Sequence, residues 1–146
     1  MVELRAIELL RTRWPTAEHL RQEFPGIEHL LKGEFAGETE EDFNVYEQGY
    51  VVSRVLINSG EKKDPTVGII LPGGSFRFRT GNNTETLTVL ENSLLARVDR
   101  DYPQSSLGKF GSITAPAGTM LTLEVNRMAS LGDENVFYVC HYRPRE

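Results

Sequence analysis

Two periodicities divide the chain near residue 42. Val2, Leu4, Ile7, Leu9 and Leu10 recur at helical spacing, with Glu3, Arg5, Glu8 and Arg11 between them. Trp14-Pro15 ends that helix, because the residue before a proline is pushed out of the α region. Thr16 is an N-cap for a second helix, Ala17–Phe24, and Pro25 suits the first turn of a third piece, Gly26–Lys32. Gly33 and Gly37 flank Glu34–Ala36, and Glu38-Thr-Glu-Glu-Asp42 reads as a solvated acidic linker. From Phe43 onward the period becomes two. The strands predicted are Tyr50–Ile57, Thr66–Leu71, Ser75–Arg79, Glu85–Leu90, Ser93–Val98, Gly111–Ala115, Thr119–Val125 and Val136–Tyr142. Turn residues separate them at Asn58-Ser-Gly60, Pro72-Gly-Gly74, Gly81-Asn-Asn83, Pro103, Pro116-Ala-Gly118 and Gly132-Asp133. Short strands with turns every 8–12 residues predict a mainly β, antiparallel sandwich or small barrel behind a helical front.

Alternation also orients the strands. Leu94, Ala96 and Val98 form one inward row, Leu121, Leu123 and Val125 another, and Glu85, Leu87 and Val89 a third. Glu85 is the exception in these rows. An inward carboxylate must be paired, hydrogen-bonded or set in a solvated cavity. Two readings stay open: a strand-end glutamate reaching solvent or an arginine, or an acid at the mouth of a ligand cavity.

Charge sharpens the division. Residues 1–42 hold ten Asp/Glu against five Lys/Arg, whereas residues 43–146 hold eleven of each. The expected organisation is thus an acidic helical extension (1–42) followed by a neutral β domain (43–146). Neither part has the basic excess that phosphate-backbone binding requires, so no nucleic-acid partner is expected. A single cysteine, Cys140, cannot form an internal bridge, and no apolar run approaches a membrane span. The expected location is the cytoplasm, with no membrane contact.

The order of motifs then narrows the picture. Gly73, Arg79, Gly81, Glu85 and Asn92 follow the spacing of the first cupin motif, and Pro116-Ala-Gly118 supplies the Pro-x-Gly of the second. In metal-binding cupins Arg79 and Gly81 would be histidines, as would Leu121, so only Glu85 remains of the ligand set. A zinc, iron or manganese site needs several converging donors, and metal catalysis is not expected. Val67-Gly-Ile-Ile-Leu-Pro-Gly73, Phe76-Arg-Phe78, Thr80, Glu85-Thr-Leu-Thr-Val89, Pro116 and Tyr138-Val-Cys-His-Tyr142 resemble a narrower group, the pyrimidine/purine nucleoside phosphorylases. These are metal-free cupins, and the likeness runs from about Phe43 to Pro144. The front 42 residues have no counterpart in short members.

That resemblance implies a jelly-roll cupin barrel, a homodimer, no cofactor, and phosphorolysis of nucleosides to free base and ribose 1-phosphate. It makes Glu85 the candidate for the ribose hydroxyls and the developing positive charge, and Arg79 the candidate for phosphate with Arg77 as its substitute. Tyr138, Tyr142 and Leu121 would line the base or ribose pocket. Arg77 and Arg79 alternate with Phe76 and Phe78, so only one pair faces the cavity, and the sequence leaves open which. His141 falls on the outer face of its strand, where an exposed residue is expected. The alternative function is a non-catalytic cupin that binds a small molecule or serves as a protein-interaction module. The acidic front could dock on a partner, fold back on the barrel, or exchange between subunits, because its apolar stripe needs a surface to cover.

Overall fold

The computed structural model describes residues 2–57, 64–99, 103–125 and 135–144. The helical front forms as the capping residues dictate. Helix α1 spans Val2–Arg13 and helix α2 spans Ala17–Glu23, where the Thr16 hydroxyl accepts the His19 backbone N–H at 3.2 Å. The third piece, Pro25–Leu30, winds as a 3₁₀ segment rather than an α-helix.

Eleven strands follow among the described residues: β1 Glu34–Phe35, β2 Phe43–Tyr46, β3 Val51–Ile57, β4 Thr66–Ile70, β5 Ser75–Arg79, β6 Asn83–Glu91, β7 Leu94–Val98, β8 Ser105–Leu107, β9 Ser112–Ala115, β10 Met120–Val125 and β11 Val136–Pro144. They pair antiparallel in two sheets. One runs β1-β3-β4-β11-β6-β9, with β2 also paired to β3; the other runs β5-β10-β7-β8. The mainly β architecture expected from the alternation is therefore present. Strands β1, β2 and β8 were not anticipated, being two to four residues long. The turns expected at Asn58-Ser-Gly60 and Gly132-Asp133 lie outside the described residues. Among those residues no helix is long and apolar enough to cross a membrane.

The core has two layers. Between the sheets pack Leu87 and Val89, Leu94 and Ala96, and Leu121, Leu123 and Val125, the rows predicted to point inward. The second layer explains the front. Ala6, Ile7, Leu10, Trp14, Ala17 and Leu20 pack on Val52, Val67, Ile69, Leu90, Phe137 and Val139, the opposite face of the larger sheet. That is why β6 is buried at Thr88 and Leu90 as well as at Leu87 and Val89. The front folds back on the sheet, and the buried Trp14 ring meets Phe24 and Phe137 edge-on at 5.9 and 5.0 Å. Arg13 adds ion pairs to Glu23 at 2.6 Å and to Glu91 of β6 at 3.3 Å.

The junction between front and sheet is held by Arg54, buried on that same face. Its guanidinium stacks on Phe35 at 3.7 Å and on Phe43 at 4.6 Å, and Nη2 donates to the Gly37 carbonyl at 2.8 Å. Burial lowers its pKa to about 10, and the nearby Arg11 charge acts in the same direction. Phe43 is the cross-strand partner of Arg54, so this anchor fixes where β2 begins.

Two motif residues prove architectural. Thr80 is buried, and its hydroxyl donates to the Pro116 carbonyl at 2.7 Å while accepting the Thr119 N–H at 2.9 Å. It ties the end of β5 to the Pro116-Ala-Gly118 turn. Asn92 occupies a left-handed turn with φ of 67°, a conformation that asparagine tolerates better than most side chains, and its amide donates to the Asn135 carbonyl.

Candidate active site

Between the two sheets lies a cavity of about 200 Å³. The larger sheet contributes Tyr46 from β2, Ser53 from β3, Thr66 from β4, Glu85 and Leu87 from β6, and Tyr138, Cys140 and Tyr142 from β11; the smaller contributes Phe76, Phe78 and Leu123. Register explains the assembly. Tyr142 sits directly opposite Glu85 across the β11–β6 pair, Cys140 sits opposite Thr66 on β4, and Tyr138 sits opposite Gly68. Side chains two apart on a strand share a face, so one β11 face delivers two phenols and a thiol to the same space.

Gly68 makes room for one of them. A Cβ built at Gly68 would collide with Cζ and Oη of Tyr138, so the phenol crosses its neighbouring strand only because that residue has no side chain. Burial pushes the Tyr138 phenol well above its ordinary pKa, and the Cys140, Tyr142, Tyr46 and Glu85 groups add to the shift. Tyr142 moves in the same direction for the same leading reason, and its hydroxyl lies 3.5 Å from that of Thr66. Both phenols are held in the neutral, hydrogen-donating form.

Of the candidate residues, the structure brings Glu85, Tyr138 and Tyr142 together. Glu85 is 6% exposed, on the cavity wall and not at a solvated strand end. Arg77 and Arg79 are not in this group. Both point away from the cavity on the outer face of the smaller sheet, where Arg79 Nη1 donates to the Gly118 carbonyl at 2.8 Å and Arg77 flanks Thr122. The reason lies in the pairing with β10: Phe76 faces Leu123 and Phe78 faces Leu121, so the rings complete an apolar inner row that would have stranded two guanidinium groups. Leu121 also departs from expectation, since it is fully buried in the core beside Phe78 and Val98 and does not line the cavity. Among the described residues the lining has no lysine, arginine or histidine. His141 lies on the far face as expected but is half-buried; desolvation lowers its pKa and His29 adds to the effect.

Sequence reasoning missed Tyr46, Ser53 and Thr66. A signal existed for the last two, which are polar residues in inward rows otherwise apolar at Val51 and Ile70. Tyr46 had none, because β2 was not recognised. Its ring is stacked on Phe76 at 4.9 Å, and Phe76 lies against Phe78 at 4.7 Å. These three rings join the sheets across the seam.

Solved structures share the fold at low identity. A protein of unknown function (DUF1255) from Acinetobacter sp. ADP1 is 22% identical with a TM-score of 0.59, covering 69% of this chain and 89% of its own. A protein of unknown function from Vibrio parahaemolyticus is 23% identical with a TM-score of 0.55, covering 67% and 93%. A cupin-2 domain from Rhodospirillum rubrum is 17% identical with a TM-score of 0.58, covering 72% and 71%. The cupin fold is shared with all of these. No curated protein matches the sequence. The profile of the pyrimidine/purine nucleoside phosphorylases matches residues 41–142, from two residues before β2 to the second cavity phenol of β11. A match across well over half of the chain, taking in every residue that lines the cavity, means that this protein belongs to the pyrimidine/purine nucleoside phosphorylase family.

Proposed function

We propose that the protein binds nucleosides in the cavity between its sheets and cleaves them by phosphorolysis. The observation that carries this reading is Glu85, a carboxylate buried in a cavity walled by Tyr46, Phe76, Phe78, Tyr138 and Tyr142. In the reaction a phosphate oxygen bonds to the anomeric carbon as the glycosidic C–N bond breaks. The bonding pair leaves on the base nitrogen, which takes up a proton, and the ribosyl group carries positive charge in passing. A fixed carboxylate beside that carbon is worth most where charge develops in a site shielded from water. Glu85 accepts hydrogen bonds from the ribose hydroxyls, and the aromatic rings hold a base by its faces without reading its edge.

A second reading has its own observation. The described lining lacks a lysine or arginine to take phosphate, which favours a cavity that holds a nucleoside or sugar without turning it over. One experiment separates the two. Base release from a mixed panel of nucleosides is followed with and without phosphate, for wild type and Glu85→Gln. Phosphorolysis predicts phosphate-dependent release that falls about 10²-fold in the variant. Ligand-induced thermal stabilisation with no release under any condition would sink the catalytic reading and leave the binding one.

A further inference from the structure

A cavity of about 200 Å³ is smaller than the roughly 300 Å³ at which pockets begin to enclose a drug-sized molecule. A nucleoside has two ring systems, a hydroxylated sugar that suits the buried carboxylate and a planar base that suits an aromatic face. The lining is graded in depth: Glu85 is 6% exposed and Tyr138 3%, whereas Tyr46 is 40% exposed. Tyr46 is therefore at the mouth. It lies on β2, which pairs with β3 alone, and its ring is stacked on Phe76 at an interplanar angle of 30°, while Phe76 lies tilted by 33° against Phe78. A ring partly exposed at a cavity mouth is a surface to which a further planar ring adds by stacking.

Taking the nucleoside-binding reading of this cavity as its basis, we infer that Tyr46 is the base platform: the ribose enters toward Glu85, and the base stays at the mouth, stacked on the Tyr46 ring. Stacking depends on ring area and tolerates any base, since every base has a π face. Discrimination among bases then follows ring size and not edge pattern, with purines held better than pyrimidines. The Phe43–Arg54 contact holds the start of β2, and the Tyr46–Phe76 stack holds its end.

The test is calorimetric binding of adenosine, uridine and ribose 1-phosphate, without added phosphate, to wild type, Tyr46→Leu and Tyr46→Phe. Leucine preserves apolar packing on Phe76 and removes the ring; phenylalanine keeps the ring and removes the hydroxyl. Tyr46→Leu is expected to weaken adenosine about tenfold, the equivalent of about 1.4 kcal/mol, and uridine by less. Ribose 1-phosphate, which has no base, should stay within about twofold, and Tyr46→Phe should recover the adenosine affinity lost in Tyr46→Leu. Unchanged adenosine affinity in Tyr46→Leu overturns the assignment. So does an equal loss for ribose 1-phosphate, which would mark a damaged cavity, and so does failure of wild type to bind either nucleoside. Nucleosides that bind with this pattern but are not cleaved when phosphate is added would leave the platform standing and remove phosphorolysis.

Discussion

Replacing Gly68 by alanine tests the packing that creates the site. In a strand interior, glycine ordinarily costs about 0.5–1 kcal/mol relative to alanine, so the substitution would be expected to stabilise the protein. Gly68 has no positive φ to protect, which removes backbone strain from the comparison. Yet the new methyl group would collide with the hydroxyl end of the Tyr138 ring. That ring is 3% exposed, so it cannot swing into solvent; it must move into the cavity beside it or force β4 and β11 apart. Overpacking of this kind costs typically 1–3 kcal/mol. With about 2–4 °C per kcal/mol for a chain of this size, the melting temperature should fall by about 2–12 °C. Thermal and urea unfolding of Gly68→Ala, Tyr138→Leu and the double variant complete the cycle. Leucine leaves room for the methyl group, so the double variant should be more stable than the sum of the single losses by at least about 1 kcal/mol. A Gly68→Ala protein as stable as wild type, or costs that simply add, would refute the collision and with it the account of how Tyr138 reaches the cavity.

Two further outcomes follow from the same structure. Deleting residues 1–33 uncovers Val52, Val67, Ile69, Leu90, Phe137 and Val139 together, so the shortened protein should aggregate on expression, as read by light scattering and the soluble fraction; a monodisperse product with the parent melting temperature would show the helical layer to be dispensable. Raising pH should destabilise the protein: the folded-state pKa values of Tyr138 and Tyr142 lie above the unfolded value near 10, so their contribution is complete below pH 10 and is lost as pH rises beyond it. Absorbance at 295 nm should show Tyr138 and Tyr142 ionising only as circular dichroism is lost, with a shallower loss in Tyr142→Phe; ionisation of both with the fold intact would contradict their desolvation.

What the linear pattern determined by itself was local. Helix α1 and its end at Trp14-Pro15, the Thr16 cap and the inward rows of β6, β7 and β10 all follow from side-chain period and capping chemistry, which act between residues a few positions apart. The oddness of Glu85 was legible in the same way, as one carboxylate in an apolar row. Period two shows that Phe76 and Phe78 lie opposite Arg77 and Arg79 but carries no sign to say which pair is inside. That was decided by β10, whose Leu121 and Leu123 meet the phenylalanines and would have left two cations buried without acceptors. The second burial face of β6 depended likewise on helices that return across the sheet from the far end of the chain. The cavity itself is a tertiary product. Tyr46, Thr66, Glu85 and Tyr142 come from four different strands, and only antiparallel register sets them around one space. Even the neutral state of the phenols belongs to the fold, because desolvation acts on a side chain only after other elements have closed over it.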